Sequence, residues 1–89
     1  DLAYALLQVH AERVRRLTRR LGQVGLQPVL VRLVRVLLER GRAGDRLAIT
    51  HHELAARVAT TRESVTKAMR VLVADGLVKT GRGEVRLVD

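Results

Sequence analysis

Residues 50–78 read THHELAARVATTRESVTKAMRVLVADGLV. Thr50 with Glu53 three residues on has the form of a capping box, in which hydroxyl and carboxylate each satisfy an orphan amide at a helix start. Leu54, Ala55 and Val58 follow at helical spacing and define an inward face. Ala59-Thr60-Thr61 is the break. A second helix begins beyond it, either with Thr60 and Glu63 as another box or with Thr61 as a simple cap, and runs to about Ala74. Asp75-Gly76 ends it, with Gly76 as the left-handed residue. The segment is two short helices joined by a tight turn.

At the helical step of about 100° per residue, Arg62, Glu63, Thr66, Lys67 and Arg70 fall in one arc of the second helix. Val65, Ala68, Met69 and Leu72 fall in another, and the arcs do not overlap. The apolar arc packs on Leu54 and Val58, and the polar arc is left to meet a ligand. Arg62 stands in the first turn, where a cation gains nothing from the helix dipole. A helix with one face on a core and a polar face outward is what entry into a DNA major groove requires. An ordinary solvated helix face has the same wheel.

The side-chain chemistry separates roles. Arg62 offers parallel donors matched to guanine O6 and N7, Glu63 accepts from cytosine N4, and Lys67 reaches a guanine or a phosphate as a point charge. Thr66 completes the base-reading set. Thr60, Thr61 and Arg70, with Lys79 and Arg82 further on, are suited to phosphates. Leu77–Thr80 and Glu84–Val88 read as strands joined through Gly81-Arg82-Gly83, a hairpin loop with Arg82 at its tip.

Upstream, Gly41 stops a helix that Pro28 opens and that turns Leu30, Leu33, Val34, Leu37 and Leu38 to one side. GRAGDR (41–46) is a loop, and Leu47–Ile49 is a candidate short strand. The fold class is mainly α with a small β-hairpin wing: a winged helix-turn-helix preceded by a long dimerisation helix. The division is 1–25 for that helix and 26–89 for the winged domain.

In residues 2–24, Ala3, Leu7, His10, Val14, Leu17, Leu21 and Val24 are spaced 4, 3, 4, 3, 4, 3. This is the repeat of a coiled-coil seam and points to a homodimer with Ala3, Leu7, His10, Val14, Leu17 and Leu21 at the interface. An amphipathic helix packed on its own domain is the alternative. Gly25–Pro28 is the expected hinge.

The chain has 89 residues and a net charge of +8, with Tyr4 as its one aromatic, no cysteine, and no run resembling a signal peptide or membrane span. The core is expected to be aliphatic, and stacking of single-stranded bases on aromatic platforms is disfavoured. Disulfides and thiolate metal sites are excluded. The charge is spread, +3 over residues 1–27, +3 over 28–46 and +2 over 47–89, so it points to a polyanion without locating it. His10, His51 and His52 share no metal-ligand spacing, and no metal is expected. His51 and His52 read as exposed first-turn residues near phosphate. His10, in the seam, is either a group whose protonation weakens the dimer or a partly exposed neutral histidine. No nucleophile–base set or glycine-rich phosphate loop suggests an enzyme. A cytoplasmic protein is the default, and a start without Met, at Asp1, suggests part of a longer chain.

The run ITHHELAARVATTRESVTKAMRVLVADGLVKTGRGEVRLVD resembles the DNA-binding domain of the cyclic-AMP receptor / fumarate–nitrate regulator superfamily of bacterial transcription factors. Thr50, Glu53, Leu54, Ala55, Val58, Thr61, Arg62, Glu63, Ser64, Val65, Thr66 and Met69 carry the match, and residues 2–40 match in organisation. The resemblance implies Arg62 and Glu63 as main base readers, Thr61 at a phosphate, and Lys67 where an arginine is usual. It implies double-stranded DNA as partner, a contact with RNA polymerase, no cofactor in this segment, and an N-terminal sensor domain for a cyclic nucleotide or other effector. Two positions depart from the pattern. Ala59 replaces the turn glycine, so it must accept a left-handed backbone or shift the turn, and Lys67 lacks the arginine's fork. A winged-helix adaptor that binds protein without reading DNA, and a small autonomous repressor, are the rival readings.

Overall fold

Among the residues that the computed structural model describes (5, 8–20, 25–41 and 44–88), the order is α1 (Ala11–Arg20), α2 (Gln27–Arg40), β1 (Arg46–Leu47), α3 (His51–Arg57), α4 (Arg62–Ala74), β2 (Val78–Gly81) and β3 (Glu84–Leu87). This is a winged helix-turn-helix. The core is aliphatic throughout, with Met69 its one sulfur-bearing member. Leu30, Leu33, Val34 and Leu37 enter it from α2, and Leu54 and Ala55 from α3. Val65, Ala68, Met69, Val71 and Leu72 enter from α4, and Leu47, Val78, Val85 and Leu87 from the sheet. Leu38, expected on the inward face of α2, is half-buried beside it.

The helix boundaries obey local chemistry. Pro28 sits in the first turn of α2, where its missing amide costs nothing. The helix ends at Gly41 in an extended conformation, φ −159°. What Gly41 supplies is room, because a Cβ built there would lie 2.7 Å from Leu47 Cδ2. A side chain at this position would force that of Leu47 to shift. At the end of α4 the Leu77 amide donates to the Leu72 carbonyl at 2.9 Å and the Gly76 amide to that of Val73 at 3.0 Å. With Gly76 at φ +79° this is a Schellman closure, as Asp75-Gly76 implied.

The three strands form one antiparallel sheet in the order β1-β3-β2. The expected strand at Leu47–Ile49 is shifted upstream, to Arg46–Leu47, and pairs with β3. Gly81 faces Glu84 in the register, so the hairpin turns on Arg82 and Gly83 alone. Val85 and Leu87 point into the core, while Arg86 points out.

Candidate nucleic-acid interface

The two helices are set against each other by caps and by one strained residue. Thr50 Oγ1 accepts the Glu53 amide at 3.1 Å, and the Thr50 amide donates to Glu53 Oε1 at 3.0 Å, completing the capping box. These bonds from the Thr50 backbone and side chain, aided by the fields of Arg40 and Arg57, hold the Glu53 carboxyl below its ordinary value. In the turn, Ala59 takes φ +54°. The chain keeps the left-handed turn without the glycine that would adopt it freely. Its neighbour Val58 is buried, and Arg32 Nε from α2 donates to the Val58 carbonyl at 3.0 Å, fixing the turn from outside. Of the two caps left open for α4, Thr61 is the one used: its Oγ1 accepts the Ser64 amide at 3.1 Å and lies 3.0 Å from Ser64 Oγ. A phosphate at Thr61 would therefore draw its hydroxyl hydrogen away from Ser64. The Thr60 amide donates to the Ala55 carbonyl at 3.0 Å.

With Val65, Ala68, Met69 and Leu72 buried beneath, Arg62, Glu63, Lys67 and Arg70 are all exposed. Together with Thr66 they line one shallow depression of about 230 Å³ along the outer face of α4. Every base-reading candidate is thus on one surface with Arg70. A second, larger cleft of about 520 Å³ lies between the start of α3, Arg62 and the hairpin glycines.

His51 departs from expectation. It is half-buried, and its Nδ1 lies 3.0 Å from Thr66 Oγ1 on α4. Burial, followed by the Arg62 charge, lowers its pKa from 6.5. His52 is exposed, as expected. Nothing in local sequence pairs His51 with Thr66, which stands 15 residues away across the turn.

On the wing, Lys79 and Arg82 are exposed. The register adds two cations that sequence reasoning missed: Arg46 stands opposite Arg86, which stands opposite Lys79. All three are exposed, so like charges lie abreast on one face of the sheet. Such neighbours repel, and an anion over the row would relieve it. Only strand pairing reveals the row, since in sequence the three positions are scattered.

Helix α1 is attached to this same unit. Val14 is 1% exposed and Leu17 packs beside it on the chain's own core. His10 Nδ1 and Arg13 Nε each lie 2.9 Å from a carboxylate oxygen of Asp75, whose side chain is fully enclosed. An acid at a helix C-terminus faces the negative end of the dipole, and the Arg13 guanidinium offsets that. Asp75 was legible as a helix end but not as an anchor. Ala3, Leu7, Leu21 and Val24 of the heptad seam lie outside the described residues. Among the described residues no three His, Asp or Glu side chains cluster as metal ligands, and no helix is long and apolar enough to cross a membrane.

Comparison with known proteins fits this arrangement. The family described as the Crp-like helix-turn-helix domain matches residues 31–89. The chain is 37% identical over 97 residues to the transcriptional regulator SdrP of Thermus thermophilus, an alignment covering 100% of this chain and 46% of that protein. To the cyclic AMP receptor protein of the same bacterium it is 32% identical, over 97% of this chain and 41% of that one. Among solved structures, the catabolite activator protein of T. thermophilus superposes with a TM-score of 0.62 at 32% identity, over 96% of this chain and 41% of the other. A CRP/FNR-family transcriptional regulator, also from T. thermophilus, gives 0.56 at 32% identity, over 94% and 45%. The chain therefore spans less than half the length of these relatives.

Proposed function

The chain belongs to the CRP/FNR family of transcription regulators, and from that membership we propose that it binds double-stranded DNA sequence-specifically as a homodimer. α4 enters the major groove, where Arg62 and Glu63 read bases with Thr66 and Lys67 beside them. Arg70, Thr60, Thr61, Lys79 and Arg82 meet phosphates, joined by Arg46 and Arg86. The observation that carries this reading is the outer face of α4: a continuous polar surface, left open by the chain's own packing, on a helix whose opposite side is buried. Two copies would place their reading helices about 34 Å apart on a near-palindrome.

The two-fold axis comes from helix 2–24. Because Val14 and Leu17 are engaged with their own domain, pairing falls to the seam positions nearer the chain start, Ala3 and Leu7. The heptad spacing supports pairing there. Gly25–Pro28 would carry an upstream signal to the reading heads; that one relative is named a cyclic AMP receptor protein supports an effector of that kind. A contact with RNA polymerase belongs to the same reading.

Selection from random duplexes tests it: an inverted repeat is expected, and recovery of no preferred sequence overturns it. Arg62→Ala should relax preference at one symmetric base pair per half-site, a good bidentate contact giving about 1–3 kcal/mol of discrimination. Arg82→Ala should weaken all sequences alike. A protein-binding adaptor would instead show no steep fall of DNA affinity with salt.

A further inference from the structure

Thr66 lies in the middle of the polar face of α4, lining the same depression as Arg62, Glu63, Lys67 and Arg70. A threonine in a helix has an easy use for its hydroxyl, the carbonyl one turn back. Thr18 in α1 takes it, with Oγ1 at 2.9 Å from both the Val14 and the Arg15 carbonyls. Thr66 Oγ1 instead lies 3.0 Å from His51 Nδ1 on the neighbouring helix. His51 is in the first turn of α3, held in place by the Thr50–Glu53 box on either side of it. Its ring also lines the cleft shared with Arg62 and the wing.

We propose that His51 is a positioning residue for base recognition: by taking the hydroxyl hydrogen of Thr66 at Nδ1, it fixes that side chain with its oxygen lone pairs directed outward, as an acceptor for an amino group on a base edge. The inference rests on the proposal that α4 reads DNA. A neutral imidazole with its hydrogen on Nε2 has a bare Nδ1, and a hydroxyl that donates to it can only accept from a third group. In the major groove the amino donors are cytosine N4 and adenine N6. His51 thus touches no base in this scheme and acts through Thr66. The second helix of the motif becomes selective at a base pair partly through a residue of the first.

The test is base preference measured at every position of the selected site, in the full chain, for wild type, Thr66→Val, His51→Ala and His51→Asn. Thr66→Val keeps the shape and removes the hydroxyl. His51→Asn places a carbonyl oxygen near the position of Nδ1, able to accept the same hydrogen. Wild type should favour cytosine or adenine at one symmetric position. Thr66→Val and His51→Ala should each flatten that position by about three- to tenfold, the worth of one net hydrogen bond. They should leave other positions and non-specific affinity unchanged, and His51→Asn should restore the preference. Thermal unfolding of each variant shows that it is folded.

The proposal is overturned if His51→Ala weakens all sequences equally, as a phosphate contact would. It is also overturned if the two deletions flatten different base pairs, or if a folded His51→Asn restores nothing. Should wild type itself select no sequence, the DNA-reading proposal beneath has failed instead, and the wild-type arm alone reveals it.

Discussion

Helix α1 and the α3–α4 pair are fastened to the same core by opposite means. The pair is held by side chains with almost no exposure, Leu54, Val65, Ala68 and Leu72 all at 0%, and by caps within a few residues of each helix start. Of α1's described residues Val14 alone is buried, Leu17 lies beside it, and Arg13, with His10 just before the helix, grips Asp75. Aliphatic packing has no cheap alternative state, since exposing it returns apolar area to water. An ionic grip whose guanidinium reaches solvent, Arg13 being 60% exposed, has one: both partners can be rehydrated. The α3–α4 pair is therefore the stiff part, and α1 is the releasable part.

That contrast can be broken in four ways, taken from the largest expected effect downward. Leu54→Ala should cost about 2–5 kcal/mol in denaturant unfolding and lower the protection of α3, α4 and the sheet together. Loss confined to α3 would deny that they are one cooperative unit. Asp75→Asn removes the charge that His10 and Arg13 approach, and should cost about 1.5 kcal/mol, at the low end for bonds to charged groups because Arg13 is solvated. Its signature is spatial: amide exchange should quicken across Ala11–Arg20 while α3 keeps its protection. Equal quickening in both would mean that Asp75 supports α4 itself.

Ala59→Gly should stabilise by about 0.5–1 kcal/mol, the left-handed penalty of alanine less the extra unfolded-state freedom of glycine. A loss in its place would show that the alanine methyl matters more than its strain. The smallest effect is expected from pH. The pKa of His51 is held below 6.5 in the fold, so the unfolded chain takes up this proton first as pH falls. Its contribution to stability is complete above 6.5 and is lost as pH drops through the lower, folded value. The titratable and charged groups that line the cleft with His51 are Arg62 of α4, Glu84 of β3 and its neighbour His52. His51→Asn should remove this part of the acid-side slope, and an unchanged slope would place the titration elsewhere.

How much was legible in the sequence follows the same division. The box of Thr50 and Glu53, the Gly76 closure, the two faces of α4 and the hairpin were readable because each is settled within a few residues. At Ala59 the departure from the family pattern left two outcomes, a left-handed residue or a shifted turn, and the fold takes the first. The choice of Thr61 over Thr60 as cap was not, since both have the chemistry and only the backbone decides. Pairings that fold brings together from distant positions left no local sign: Arg32 on the Val58 carbonyl, His51 on Thr66, His10 and Arg13 on Asp75, and the row Arg46–Arg86–Lys79. At Gly41 the helix stop was legible, whereas the closeness of the Leu47 side chain was not.

The hairpin has a further consequence. Its tip is one arginine between two glycines, with no second side chain to discriminate among targets. Whatever anion meets it, replacing Arg82 can alter how strongly the tip holds on but offers little scope for choosing among partners. Its length is another matter, because the paired strands behind it fix how far the guanidinium stands from α4. On the proposed reading of DNA the wing would work as a caliper, and lengthening its loop would change the gap it measures rather than the letters being read.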